Sequence, residues 1–302
     1  MRRPSPALLS LAALLAAAPA ARTQEIPDSV RVRSQPVAGN VYVLMGRGGN
    51  IGMLAGDDGV ILVDDEFAPL TERIRAAVRA VSPRPIRFLL NTHWHGDHTG
   101  GNENFGRAGV LIMAHDNVRI RMSAEQFVGR MNDRVPPSPP GALPVVTFGE
   151  DVTFHLDGEE VHAFHVPRAH TDGDVVVHFR RANVIHAGDT YFNGSYPFID
   201  TNNGGTIEGM IGATDRILAL ANERTRIIPG HGDVSGVAEL RAYREMLVTV
   251  RDRIAAAIRA GKTAQQLVAE HPLADLDPRW GGGFMKADAV LEIVYASMAK
   301  GR

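Results

Sequence analysis

Asn91-Thr92-His93-Trp94-His95-Gly96-Asp97-His98 follows directly on the apolar run 86–90. That run reads as a buried strand, so the cluster falls at a strand exit, where an α/β scaffold places its functional loops. His93 and His95 are two apart in an extended segment, and both imidazoles project to the same side. Gly96 then lets the chain turn and bring Asp97 and His98 back toward them. Four potential metal ligands thus arise from six residues. Three more follow the same pattern: His170 beyond the strand pattern 161–166, Asp189 in His186-Ala187-Gly188-Asp189, and His231 in Pro229-Gly230-His231-Gly232.

Working outward, 41–45, 50–55 and 60–64 read as strands, the last two joined by the hairpin turn Gly56-Asp57-Asp58-Gly59. Pro69 opens a helix whose apolar residues Leu70, Ile74, Val78 and Val81 share one face, and Pro83 ends it. A strand at 109–113 precedes a helical stretch through Met122 and Phe127. Met122, Phe127 and Met131 read as core or lid contacts, and the proline-rich loop 135–144 as a pocket wall. Strand patterns resume at 145–148, 152–156, 161–166, 175–179 and 184–187, followed by a helix over 206–221 and a short strand at 227–228. Ser235 is the expected cap of a long helix carrying Leu240, Tyr243, Leu247, Val250, Ile254 and Ile258. Helices over 263–270 and 287–300 complete the chain. This alternation predicts two sheets sandwiched between helical layers in one domain.

The 302 residues are 44% hydrophobic and 22% charged, which excludes disorder and coiled coil. A formal charge of -2 leaves no positive field for nucleic acid or anionic lipid. With no cysteine, any metal is held by nitrogen and oxygen. Arg2 and Arg3 ahead of the apolar stretch 7–18, with Ala18 and Ala20 around Pro19, read as a signal peptide over 1–20, leaving one domain over 25–302. The expected location is periplasmic or secreted, with no membrane attachment after signal removal.

His93-x-His95-x-Asp97-His98, then His170, Asp189 and His231, resemble the metallo-β-lactamase superfamily over nearly the whole mature chain. The resemblance implies an α/β fold of αββα type: two mixed sheets flanked by helices, with the metal site at one edge. It assigns His93, His95 and His170 to a first zinc, Asp97, His98 and His231 to a second, and Asp189 to the position bridging both, as in glyoxalase II. The dedicated β-lactamases of the family usually carry Cys or Ser there, so this Asp points away from efficient lactam hydrolysis. On chemical grounds, imidazole and carboxylate suit Zn2+, and accept Fe, Mn or Co as well.

The expected enzyme is a di-zinc hydrolase in which a metal-bridging hydroxide attacks a carbonyl, with Asp97 orienting the nucleophile and passing its proton. The substrate is a small molecule: a β-lactam turned over weakly, or a lactone or thioester. An alternative of another class is a periplasmic metal-binding or redox-relay accessory protein with little turnover. One of Asp64 and Asp65 is a candidate to accept the second ring N–H of a ligand histidine, and Asp174 to support His170 in the same way. Trp94, Arg168, Tyr191 and Asn193 are candidates for the substrate pocket, Arg168 being the basic residue nearest a ligand in sequence. Oligomeric state is not legible in the sequence.

Overall fold

The computed structural model describes residues 26–129 and 132–300. The expected signal peptide and Met131 lie outside the described residues.

A first sheet has seven strands: β1 (Arg33–Ala38), β2 (Val41–Met45), β3 (Ile51–Gly56), β4 (Gly59–Val63), β5 (Ile86–Leu90), β6 (Leu111–His115) and, after a small separate hairpin of β7 (Gln126–Val128) and β8 (Asp133–Val135), β9 (Val146–Phe148). Their spatial order is β1-β2-β3-β4-β5-β6-β9, antiparallel up to β4 and parallel thereafter. The second sheet runs β10 (Asp151–Leu156), β11 (Glu159–His165), β12 (Val175–Phe179), β13 (Val184–His186) and β14 (Arg226–Ile228), with only β13 and β14 parallel.

Alternation along the strands supplies three apolar layers. Val41, Val43, Leu54, Ile61 and Val63 face Val161, Ala163, Val175, Val177 and Phe179 between the sheets. On the outer face of the first sheet, Leu44, Ile51, Met53 and Leu62 pack on Ile74 and Val78 of α1 (Thr71–Val81). Short helices α2 (Gly96–Thr99), α3 (Asn102–Arg107) and α4 (Asp116–Met122) connect the strands, with Phe105 of α3 joining this layer. On the outer face of the second sheet, Phe164, Val176, Ile185 and Ile227 meet α5 (Ile207–Leu220), α6 (Val237–Arg259), α7 (Ala264–Ala269), α8 (Asp277–Trp280) and α9 (Ala287–Lys300). The expected αββα sandwich is the observed architecture.

Three local expectations change. Phe127 lies in β7 rather than in a helix, because α4 ends at Met122 and the next residues pair with β8. Ser235 does not cap α6: the helix begins after Gly236, whose N–H donates to Glu239 Oε2 at 3.0 Å, while Ser235 pairs with Ile227. The segment at 33–38, which shows no strand pattern, forms β1 at the sheet edge. Its exposed Arg33 and internal Pro36 are residues an edge tolerates.

Candidate metal centre

Each candidate ligand leaves the end of a strand on one edge of the sandwich. His93, His95, Asp97 and His98 follow β5, His170 follows β11, Asp189 follows β13 and His231 follows β14. Gly188 lets the chain turn from β13 into the Asp189 loop. Its φ is +52°, and a Cβ there would stand 2.8 Å from Thr92 Cβ.

These turns converge. His95 Nδ1 lies 2.8 Å from His170 Nε2, and ligand atoms of His93, His95 and His170 all lie within 4.8 Å of one another. His231 Nε2 stands 3.4 Å from Asp97 Oδ2, and Asp97, His98 and His231 form a second such group. Asp189 lies between them, with Oδ2 at 3.6 Å from His170 Nε2 and 3.5 Å from His231 Nε2, and Oδ1 at 3.1 Å from His98 Nε2.

The other ring nitrogens are taken by the protein, which fixes which nitrogen faces inward. Thr92 Oγ1 lies 3.0 Å from His93 Nδ1, Asp200 Oδ2 3.0 Å from His95 Nε2, Asp64 Oδ2 2.7 Å from His98 Nδ1, and the Phe198 carbonyl 2.8 Å from His170 Nδ1. Inward, the buried atoms His93 Nε2, His98 Nε2 and Asp189 Oδ1 have no hydrogen-bond partner. His98 and Asp189 face each other at 3.1 Å without the geometry of a hydrogen bond. Burying such donors costs free energy unless something binds them, and a cation between them does. The residues therefore fit bound metal.

The electrostatics agree. Burial raises the Asp97 carboxyl, but His98 and His231 outweigh it and hold it at about 2. Burial also opposes ionisation of Asp189, yet His231 and His98 bring it well below the carboxylate range. His231 is lowered by burial and raised more strongly by Asp189 and Asp97, to about 10. His170 is held down at about 4, chiefly by burial, and His93 is pushed down by burial and by His98. The charged Asp97 and Asp189 carboxylates and the neutral His93 and His170 offer lone pairs to a cation. Against burial, the same carboxylates raise His98 and His231, whose inward nitrogens bind a cation once their protons leave.

Among the supporting aspartates, Asp64 touches a ligand ring. Asp65 does not: its Oδ1 accepts from Gly101 N at 2.9 Å. Asp174 supports the His170 loop rather than the ring, accepting from Thr171 N at 2.8 Å and Thr171 Oγ1 at 2.6 Å. Asp200 and Glu66 carry no signal in the sequence. Glu66 is buried with φ +53° and accepts from Arg47 N at 3.1 Å, under the loop that packs on His98.

Trp94 lines the cleft above the centre, together with His95, Asp97, Asp189 and His231. The other three pocket candidates lie elsewhere. Arg168, at φ +54°, turns into a separate groove with Thr206, Glu208 and Arg216. Tyr191 is fully buried, with its hydroxyl 3.0 Å from Ser235 Oγ. Asn193 spends its amide on the Asp233 carbonyl at 2.8 Å.

Residues 44–240 match the metallo-beta-lactamase superfamily. The chain belongs to that superfamily. Its homologues there include hydrolases. It is 29% identical over 165 residues to the alpha subunit of a 2,4-dinitroanisole O-demethylase from Nocardioides sp. (strain JS1661), covering 53% of this chain and 47% of that one. It is 24% identical over 216 residues to the acyl-coenzyme A thioesterase MBLAC2 of Gallus gallus, covering 65% and 76%. To the type 2 metallo-beta-lactamase of Bacteroides fragilis it is 22% identical, covering 54% and 59%. The chain thus spans about half the length of the first of these relatives and somewhat more of the others. A metallo-beta-lactamase structure from Pontibacter korlensis superposes with a TM-score of 0.60 at 19% identity, covering 72% of this chain and 99% of that one. Among the described residues no helix is long and apolar enough to cross a membrane.

Proposed function

We propose that this superfamily member holds two metal ions, with zinc suited to the nitrogen-rich donors, and hydrolyses an acyl bond of a small ester, lactone, thioester or lactam. The observation that carries the reading is the convergence of buried, unpartnered His93, His98 and Asp189 atoms with the ligand atoms of His95, His170, Asp97 and His231. His93, His95 and His170 would hold one ion, Asp97, His98 and His231 the other, and Asp189 both. When bound, the metals supply Lewis-acid polarisation and ionise water near neutral pH.

The chain does the rest. Asp97 borders the cleft and remains charged, so it orients the attacking water and passes its proton on. Water oxygen adds to the carbonyl carbon, the bond to the leaving oxygen, sulfur or nitrogen breaks, and that atom takes the proton. Asp200, Asp64 and the Phe198 carbonyl keep the imidazoles in place throughout. Relatives named as an acyl-coenzyme A thioesterase and a β-lactamase support acyl-bond hydrolysis.

The test combines metal content per chain with hydrolysis of ester, lactone, thioester and lactam panels, with and without chelator. Two metals and chelator-sensitive turnover are expected, with lactams the poorest substrates. Asp97→Ala should lose metal and lower the rate about a hundredfold or more. Two bound metals without chelator-sensitive turnover on any panel would instead make the chain a metal-binding accessory protein.

A further inference from the structure

The cleft above the metal centre has a composition of its own. It encloses about 590 Å3, within the range of small-molecule sites. Its walls are aromatic: Phe67, Trp94, Phe192, Tyr196 and Phe198. The β7–β8 hairpin contributes Val128 and Val135 to one side of the mouth, and Phe284 and Met285 close the other. Phe284 is 70% exposed and follows Gly281-Gly282-Gly283, so a large apolar side chain stands at the opening on flexible backbone. The one charged lining side chain away from the metal centre is Asp133, exposed on β8. Among the described lining residues there is no lysine or arginine.

We infer that this cleft selects substrates whose acyl part is bulky and apolar and ends without an anionic group. The inference rests on the hydrolase reading. An alkyl or aryl acyl chain leaves water for the aromatic walls and covers Phe284, gaining the transfer free energy of each methylene. A terminal carboxylate, reaching away from the metal centre, would instead leave water for walls whose described residues include no lysine or arginine and which set Asp133 beside it. Neutral acyl esters, lactones and thioesters with medium alkyl or aryl chains are therefore the substrate class. Arg168, the basic residue nearest a ligand in sequence, opens into a different groove.

Three 4-nitrophenyl esters test this on the metal-loaded protein: the acetate, the hexanoate and the adipate monoester, whose six-carbon chain ends in a carboxylate. At about fourfold per methylene, the four extra methylenes of the hexanoate should raise kcat/KM over the acetate by about 250-fold. It should exceed the adipate ester by about tenfold or more. Phe284→Ala should shrink the hexanoate preference mainly through KM, and Asp133→Lys should raise the adipate ester. Equal turnover of hexanoate and adipate esters, or of acetate and hexanoate, overturns the inference and leaves the hydrolase reading standing. If no ester is cleaved with metal bound, the lactone, thioester and lactam panels decide the hydrolase reading, and fluorescence binding to the metal-free protein decides the cleft separately. There, N-phenyl-1-naphthylamine should bind about tenfold more tightly than its anionic 8-sulfonate, and Phe284→Ala should weaken it. A sulfonate that binds as tightly as the neutral amine overturns the inference.

Discussion

Asp200 Oδ2 lies 3.0 Å from His95 Nε2, and His95 presents its other nitrogen, Nδ1, to the centre 2.8 Å from His170 Nε2. A second bond, from Asn203 Nδ2 at 2.7 Å, fixes the same carboxylate oxygen. Burial raises the Asp200 carboxyl, but the His95 bond outweighs it and keeps the group below the ordinary carboxylate value. The anion therefore sets the tautomer of His95 and the direction of its lone pair. Asp200→Ala should weaken metal binding about 10–100-fold, with Asp200→Asn between the two, as read by competition with a chromophoric chelator. Equal affinity in all three proteins would show that His95 is oriented by packing alone.

The sequence made the inward donors legible because each follows a strand and four of them sit within six residues, so local periodicity was enough. Their outward partners were less accessible. Asp64 ends a strand and stands out; Asp200 lies 105 residues from His95, in a stretch without regular pattern. The pocket was the least legible part. Arg168 stands two residues before His170 in sequence, yet its left-handed backbone at φ +54° sends it to another groove. Phe284, 53 residues beyond the last ligand, reaches the mouth only through the packing of α8 and its glycine loop. The layers of the fold were readable from helix and strand period, whereas three-residue β7 is too short for periodicity to separate it from a helix.

Gly49 packs against a candidate ligand with no room for a side chain. A Cβ there would stand 2.0 Å from His98 Cε1 and 2.3 Å from His98 Nε2, while a Cβ on Gly96 would meet nothing within 4 Å. Gly49→Ala must displace either the His98 ring or the loop held by Glu66. It should lower metal occupancy, while Gly96→Ala keeps it. Metal analysis of the two purified variants separates crowding of the ligand from a general effect of adding a methyl group. Full occupancy in Gly49→Ala would sink the argument.

Asp64 joins three donors at the heart of the site. It accepts from Thr92 N and Thr92 Oγ1, each at 2.7 Å, and holds His98 Nδ1 at 2.7 Å. It is fully buried at φ +69°. Asp64→Ala strands all three donors, and each unsatisfied buried group costs about 1–3 kcal/mol. A loss of about 3 kcal/mol or more in urea unfolding of the metal-free protein is expected, with weaker metal binding besides. A change below about 1 kcal/mol would mean that water replaces the carboxylate without cost.

His165 and His115 stack with ring centroids 3.8 Å apart and planes 15° from parallel. His115 accepts from Asn117 N at 3.1 Å and lies 2.9 Å from the Gly149 carbonyl, and His165 Nδ1 lies 3.0 Å from the Asp174 carbonyl. Burial, and then the neighbouring His115, lower the His165 imidazole below its ordinary value of 6.5. The unfolded chain then binds more protons than the folded one, so stability rises with pH. The contribution is complete above about 6.5 and is lost as pH falls through the lower folded value. His165→Gln should flatten the fall in urea midpoint below pH 6.5 relative to the parent, since the metal-site residues titrate alike in both proteins. Parallel curves for the two proteins would show that the stacked pair takes no part in acid sensitivity.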